Sequence, residues 1–343
     1  MVIIVPVAHY RGSNGVDERL NQLNSWLGET LAKERFVLRP ASVDASFRRY
    51  FRVQTHDRSY IAMDAPPDRE DTGPFVRIAR QFRDLGLNVP EVLEQHPSKG
   101  FLLLSDLGQR LYLEHLDVDT VERLYGDALG ALVVLQAGTD QNKTSGLPPY
   151  DHALLTQEMG LFKDWYLGHH LDRHLGTGEA TALEQVFEDL TQSALNQPQV
   201  WVHRDFHSRN LMLTDSNNPG ILDFQDAVYG PVTYDLVSLL RDCYISWPRS
   251  QVEEWVQGYF DLGTQSGLPV GDSEDQFLEW FDYMGVQRHL KAIGIFARLN
   301  HRDGKPGYLD DIPRVMGYIK DVSARYTPLQ PLHNLLMDLN SAT

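Results

Sequence analysis

His203, Asp205, Asn210 and Asp223 are the residues of this chain whose types and spacing best suit chemistry. They lie in Val-His-Arg-Asp-Phe-His-Ser-Arg-Asn-Leu at 202–211 and in Ile-Leu-Asp-Phe-Gln-Asp-Ala at 221–227. A carboxylate such as Asp205 can orient an attacking hydroxyl and accept its proton. Asn210 and Asp223 offer hard oxygen ligands, which Mg²⁺ prefers when it also holds phosphates. Base, loop histidine and two metal ligands are the parts that phosphoryl transfer needs. A bare H-x-D recurs by chance in many chains. The ordered set, with apolar runs on both sides, is far more specific.

The flanking residues predict how the set is held. Val200 to Val202 reads as a strand entering the loop, and Leu211 to Leu213 as a strand leaving it. Asn217-Asn218-Pro219-Gly220 is a turn signal, and Ile221-Leu222 starts the strand that presents Asp223. Upstream, Val16 to Lys33 has helical spacing in Leu20, Leu23 and Leu27. Phe36 to Pro66 reads as strands, Pro74 to Leu85 as a helix, and Val92-Leu93 and Phe101 to Leu104 as two more strands. After Ser105-Asp106-Leu107-Gly108 the chain is mostly helical. The expectation is an α+β protein with a two-lobed, protein-kinase-like fold. Residues 1–35 form an N-terminal segment and helix, 36–105 a strand-rich nucleotide-binding lobe, and 106–343 a helical catalytic lobe. ATP is then expected in the cleft between lobes.

His203-Arg204-Asp205, four residues and Asn210 fit a kinase catalytic loop. A protein kinase also needs a long activation segment ending in Ala-Pro-Glu. Here Tyr229-Gly230-Pro231-Val232-Thr233-Tyr234-Asp235-Leu236 runs straight into an apolar helix, Leu236 to Tyr244. That leaves no room for such a segment. Gly-Pro-x-x-Tyr-Asp-Leu resembles the aminoglycoside phosphotransferase family of small-molecule kinases. The resemblance implies that Asp235 braces the catalytic loop; as a residue it also suits a helix N-terminus. Asp44 to Arg52, Ala62 to Pro67, Phe101 to Gly108, Asp223 to Pro231, Met284 to Arg298 and His301 to Lys305 resemble one branch of that family. This branch phosphorylates the anomeric hydroxyl of N-acetylated amino sugars in bacterial cell-wall recycling. The likeness runs from about residue 40 to about 320. Phe206, His207 and Ser208 depart from its usual catalytic loop. The resemblance implies Mg²⁺, ATP as co-substrate, N-acetylmuramate and N-acetylglucosamine as acceptors, and a sugar 1-phosphate product. The alternatives are a phosphotransferase acting on an aminoglycoside, choline or another small alcohol, and a nucleotide-binding pseudokinase.

The nucleotide site is unusual. Kinases carry a strand lysine paired with a helix glutamate. Before residue 99 this chain has only Lys33, and the expected strand ends in Asp64. Arg49 is the first candidate for a phosphate contact through its planar fork. Asp64 and Arg77 could form a charge-reversed pair. Ser46, in Asp44-Ala45-Ser46-Phe47, could cap a phosphate where a glycine-rich loop would lie. The resemblance implies that backbone groups at Ser105, Asp106 and Leu107 bind adenine.

For the acceptor, Trp165 and Tyr166 offer faces for a sugar ring, though such residues are as often core. His207 could touch substrate or order the loop. On a helix from Val286 to Arg298, Val286, Leu290, Ile293 and Ala297 form an apolar face, and Arg288, Lys291 and Arg298 lie opposite. That basic stripe could pair with a substrate carboxylate or form internal ion pairs. His170 and His174 have a metal-ligand spacing, but no acidic base accompanies them. The formal net charge of −16 argues against nucleic acid and against an anionic membrane as partners. No obligate protein partner is evident. Cys243 is the single cysteine, so no internal disulfide forms, which suits a reducing cytoplasm. It is expected inside the apolar helix as a small buried hydrophobe. The apolar run Met1 to Val7 is too short to be a signal or membrane span.

Overall fold

The computed structural model describes residues 17–42, 47–139 and 146–341. Contacts divide the chain into two units, 1–109 with 213–225, and 110–212 with 226–343. The sequence-based division placed 213–225, and with it Asp223, in the second lobe; contacts group this hairpin with the first unit. Ser46 and the Met1 to Val7 run lie outside the described residues.

The first unit holds a five-stranded antiparallel sheet and two helices. Helix α1 (Glu18–Thr30) is capped by the Asp17 carboxylate, which accepts from Leu20 N–H, and buries Leu23, Trp26 and Leu27. It packs on Val53, Ala62, Phe101 and Leu103 of the sheet. Strands β1 (Val37–Ser42), β2 (Arg49–Gln54), β3 (Ser59–Asp64), β4 (Val92–His96) and β5 (Phe101–Ser105) lie in the order β1-β2-β3-β5-β4. Helix α2 (Gly73–Asp84) buries Phe75, Ile78, Ala79 and Phe82. The Phe75 ring lies 4.8 Å from that of Phe224, so the residue after Asp223 is seated under α2.

The second unit is built around one long helix. In chain order it runs α3 (Val121–Ala137), α4 (His152–Leu161), a π-helical stretch (Phe162–His170), α5 (Thr177–Asn196), β6 (Gln199–Val202) and β7 (Leu211–Met212). Strand β8 (Gly220–Ile221) falls within the first unit. Then follow β9 (Val228–Pro231), α6 (Tyr234–Leu240), α7 (Arg249–Gln265), α8 (Glu274–Asp303), α9 (Ile312–Ser323) and α10 (Gln330–Ser341). β6 pairs antiparallel with β9. α8 starts at a Ser273 cap and stops at Gly304, whose φ of +64° suits glycine. At Gly294 a Cβ would lie 2.4 Å from the Leu161 backbone, so α8 touches the end of α4 only because this residue is glycine. That approach brings Gln287 and Lys291 to Glu158 of α4. α6 ends at Leu240, earlier than its apolar run suggests, so Cys243 lies beyond the helix. The thiol is still buried, and burial pushes it up to about 11. No helix among the described residues is long and apolar enough to cross a membrane.

Candidate active site

β6 is buried along Val200 to Val202 and delivers the chain into the loop that holds Asp205. The Asp235 carboxylate, in the first turn of α6, accepts from His203 N–H at 2.6 Å and Arg204 N–H at 3.0 Å. Asp235 is fully buried, and burial pushes its carboxyl up to about 7 against the pull of these two bonds. Asp205 N–H donates to His203 Nδ1 at 3.2 Å, and Asn210 Nδ2 donates to the Asp205 carbonyl at 3.0 Å. His207 N–H also donates to that carbonyl, at 3.0 Å. The structure therefore brings together His203, Asp205, His207, Asn210 and Asp235. Asp205 is half-buried. Burial raises its carboxyl, but Lys291, His207, Arg288 and His203 more than offset this, leaving it below the usual aspartate range. A positioned, ionised carboxylate can orient a hydroxyl and take its proton.

The charges around Asp205 come from elements far apart in sequence. Glu158 of α4 is buried and accepts from four donors: Arg204, Tyr150 Oη, Lys291 Nζ at 2.9 Å and Gln287 Nε2 at 3.4 Å. Lys291 also donates to Tyr234 Oη at 3.0 Å. Thus Lys291 forms an internal ion pair. Arg288, on the same helix, does not: it donates to Ser238 Oγ at 2.6 Å and Cys243 Sγ at 3.5 Å, with no ion pair among the described residues. Burial works against its charge, while Asp205 and Asp242 favour it. Asp242, itself buried, accepts from Ser208 N–H and Tyr244 N–H, each at 2.9 Å. Sequence reasoning missed Glu158, Tyr150, Ser238 and Asp242, because none stands in a motif. The one available signal was Arg204, a cation beside the base that needs a counter-charge.

In the first unit, Asp223 adopts φ +62° and accepts from Gln225 Nε2 at 2.9 Å. A non-glycine residue at such a φ is held there against local preference, a common feature of functional loops. Asn210 in the second unit commits its amide nitrogen to the Asp205 carbonyl, which directs its oxygen away. An amide oxygen and a carboxylate fit Mg²⁺ by their hard-donor chemistry. Among the described residues, no group of three or more His, Cys, Asp or Glu could hold a metal ion.

The nucleotide candidates are engaged within their own unit. Arg49 faces Asp64 across β2 and β3, and its Nε donates to that carboxylate at 3.0 Å; the fork also reaches Asp17. Asp64 is fully buried, and its second partner is Arg19 of α1. The reversed pair is therefore Asp64 with Arg19 and Arg49, not Arg77, which is exposed on α2. The antiparallel register explains it: residues directly opposite on one face must meet. The Asp106 side chain accepts from Arg52 Nε at 2.6 Å, Ser59 Oγ at 2.5 Å and Gly108 N–H at 2.9 Å. Ser105 Oγ accepts from Glu91 N–H at 2.8 Å. Leu107 is half-buried.

Trp165 and Tyr166 lie on the π-helical stretch. Tyr166 stacks between Phe162 and His170, with centroids at 5.3 and 5.7 Å. Trp165 packs on His169 at 4.7 Å and lines a cleft of about 580 Å³ with Lys163, Arg173, His174 and Ala180. His174 lies beyond the end of that stretch, so it does not share a helix with His170, whose Nδ1 is 3.2 Å from His301 Nε2. A different aromatic ring packs against His207 of the catalytic loop. Tyr244 lies 5.4 Å from the His207 ring, with the Arg209 guanidinium 3.6 Å above it.

The model of the phosphotransferase enzyme family matches residues 37–270. The chain belongs to this family. It is thus an enzyme of the phosphotransferase class. It is 47% identical to the N-acetylmuramate/N-acetylglucosamine kinase of Pseudomonas aeruginosa over 94% of this chain and 97% of that one. The kinase of the same name from Pseudomonas putida is 45% identical, over 95% of each chain. Among solved structures, the gentamicin complex of the aminoglycoside phosphotransferase APH(2")-IIa superposes with a TM-score of 0.59 at 15% identity, covering 89% and 97%. Choline kinase from Streptococcus pneumoniae gives 0.59 at 11%, covering 88% and 99%. The ADP-bound APH(2")-Ib gives 0.57 at 16%, covering 87% and 97%. These likenesses show the fold: α+β and protein-kinase-like.

Proposed function

We propose that this phosphotransferase is a cytoplasmic kinase that transfers the γ-phosphoryl group of ATP to the anomeric hydroxyl of N-acetylmuramate and N-acetylglucosamine. The observation that carries this is the 47% identity to a kinase of those sugars along nearly the whole of both chains. The geometry agrees. Asp205 is held by His203, His207, Asn210 and the Asp235-braced backbone, and neighbouring cations keep it ionised. An anomeric hydroxyl is more acidic than an ordinary alcohol, so one aligned carboxylate suffices as base. Phosphoryl transfer asks mainly for alignment and charge stabilisation. Asn210 and Asp223 would hold Mg²⁺, which would neutralise charge on the phosphates. Ser105 and Asp106 commit their side chains within the first unit, so adenine would meet backbone at 105–107. His207, Arg288 and Lys291 act on the Asp205 carboxylate, and Tyr244 with Arg209 packs beside His207.

The test is an acceptor panel with phosphorus NMR of the product. The two sugars should yield 1-phosphates, and their methyl glycosides should yield nothing. A 6-phosphate, turnover of a blocked glycoside, or preference for an aminoglycoside or choline would overturn the reading.

A further inference from the structure

We propose that Glu158 is a positioning residue that locks the catalytic loop through Arg204, as a permanent counter-charge. The proposal rests on the phosphotransferase activity and not on the identity of the acceptor. Arg204 directly precedes Asp205 and has φ +77°, a conformation that favours glycine. Something must hold an arginine there. Asp235 binds the backbone on this side of the loop, through the N–H groups of His203 and Arg204. The Arg204 side chain is gripped separately. Its guanidinium pairs with Glu158, lies 5.7 Å from the Tyr150 ring centre, and reaches the Asp226 carbonyl at 3.4 Å. Both partners are largely buried, with side chains 18% and 6% exposed.

Glu158 is well made for this. Tyr150, Gln287 and Lys291 take up the rest of its oxygens, so its carboxylate is fixed from α4, α8 and the loop together. In protein kinases, a phosphate added to the activation segment orders such a region by pairing with arginine. Here no activation segment intervenes between Asp223 and α6, and a glutamate built into α4 supplies the negative charge. The loop is then held in working form without any modification.

The test is a double-mutant cycle on the full chain, using Glu158→Gln, Arg204→Gly and both together. Glycine takes the φ of Arg204 without cost, so Arg204→Gly no longer needs its anchor. Glu158→Gln should lower kcat about tenfold or more in the native background. The KM for ATP should change little. In the Arg204→Gly background the same substitution should cost less than about threefold. Arg204→Ala should be slower than Arg204→Gly, because alanine keeps the backbone penalty and loses the anchor. A purely structural role would lower the melting temperature and leave kcat per folded molecule unchanged. That outcome, or equal losses in the two backgrounds, would overturn the proposal. Should Glu158→Gln not fold, Glu158→Asp replaces it, with amide exchange at 203–210 read beside kcat. Native exchange together with native kcat in that variant would equally overturn the lock.

Discussion

Asp64 in the first unit and Glu158 in the second are built on one plan and end differently. Each is a buried carboxylate bracketed by two cations from separate elements. Around Asp64 the cations are Arg19 and Arg49, and Asp17 adds a second carboxylate on Arg49. Charges there balance, and the cluster ties α1 to β2 and β3. Around Glu158 the cations are Arg204 and Lys291, neither bonded to a second carboxylate among the described residues, and Arg288 lies on the same helix as Lys291. In a chain of net charge −16, Lys291 and Arg288 both act on Asp205 and favour its ionised form. One carboxylate cluster holds a scaffold together. The other shapes the field at a reactive group, where buried charge has its greatest effect.

The largest effect expected from breaking this contrast is at Asp205 itself. Asp205→Asn should lower kcat by about 10²–10⁴, as loss of a general base does. Nucleotide affinity, measured by titration, should survive, since Asp205 acts on the acceptor. Near-native kcat would remove the base assignment. Asp223→Ala should do the reverse and weaken Mg²⁺-dependent nucleotide binding directly. Unchanged affinity in that variant would remove its metal role.

Next come the cations. Lys291→Met should lower kcat about 10-fold or more, because a charge-assisted bond worth about 1.5–3 kcal/mol is lost beside the base. Arg19→Met, the matched change at Asp64, should leave kcat within about twofold and lower the melting temperature instead. Arg19 is 30% exposed, so the expected cost is only about 1–2 kcal/mol. Arg49→Ala sharpens the contrast. If its fork serves only Asp64 and Asp17, the KM for ATP should match that of the control Arg58→Ala, and only stability should fall. A specific rise in KM would return Arg49 to the phosphate.

The two clusters also show what was legible in the sequence. His203, Asp205, Asn210 and Asp223 could be read because the chemistry fixes their types and spacing within a short stretch. The core face of α1 followed in part from periodicity, through Leu23 and Leu27. Asp64 was noticed as an acid where a lysine was expected, yet its partners were misread. Arg77 was nearby in sequence order, whereas strand register and a preceding helix supply Arg49 and Arg19. Glu158 stands in no motif, and only Arg204, in need of a counter-charge, hinted at it. Its meaning comes from α4, α8 and the catalytic loop meeting, and Gly294 permits that approach. Lys291 and Arg288 looked like one stripe, but a few residues along α8 separate an ion-paired cation from one without a carboxylate partner.

The smallest effect, and the one most specific to this arrangement, concerns Asp235. It is a third buried carboxylate with no ion pair among the described residues, only two backbone N–H bonds. Burial therefore lifts its carboxyl from 3.8 to about 7, while Glu158, with two cations, stays below its usual range. The sign of the linkage follows. A carboxyl whose folded value is raised binds its proton more tightly when folded, so its stabilising contribution is full below about pH 4 and is lost as pH rises through about 7. Activity should run the other way. Protonation weakens the acceptor that holds His203 and Arg204, so kcat should fall as pH drops through about 7. Weakening one charge-assisted bond limits that fall to less than about tenfold. Asp235→Asn cannot titrate, and its kcat–pH profile should lack this limb while its stability no longer declines between about pH 4 and 7. A limb near 7 that persists in Asp235→Asn would assign the titration elsewhere, and the two N–H bonds would then suffice to keep Asp235 ionised without a cation.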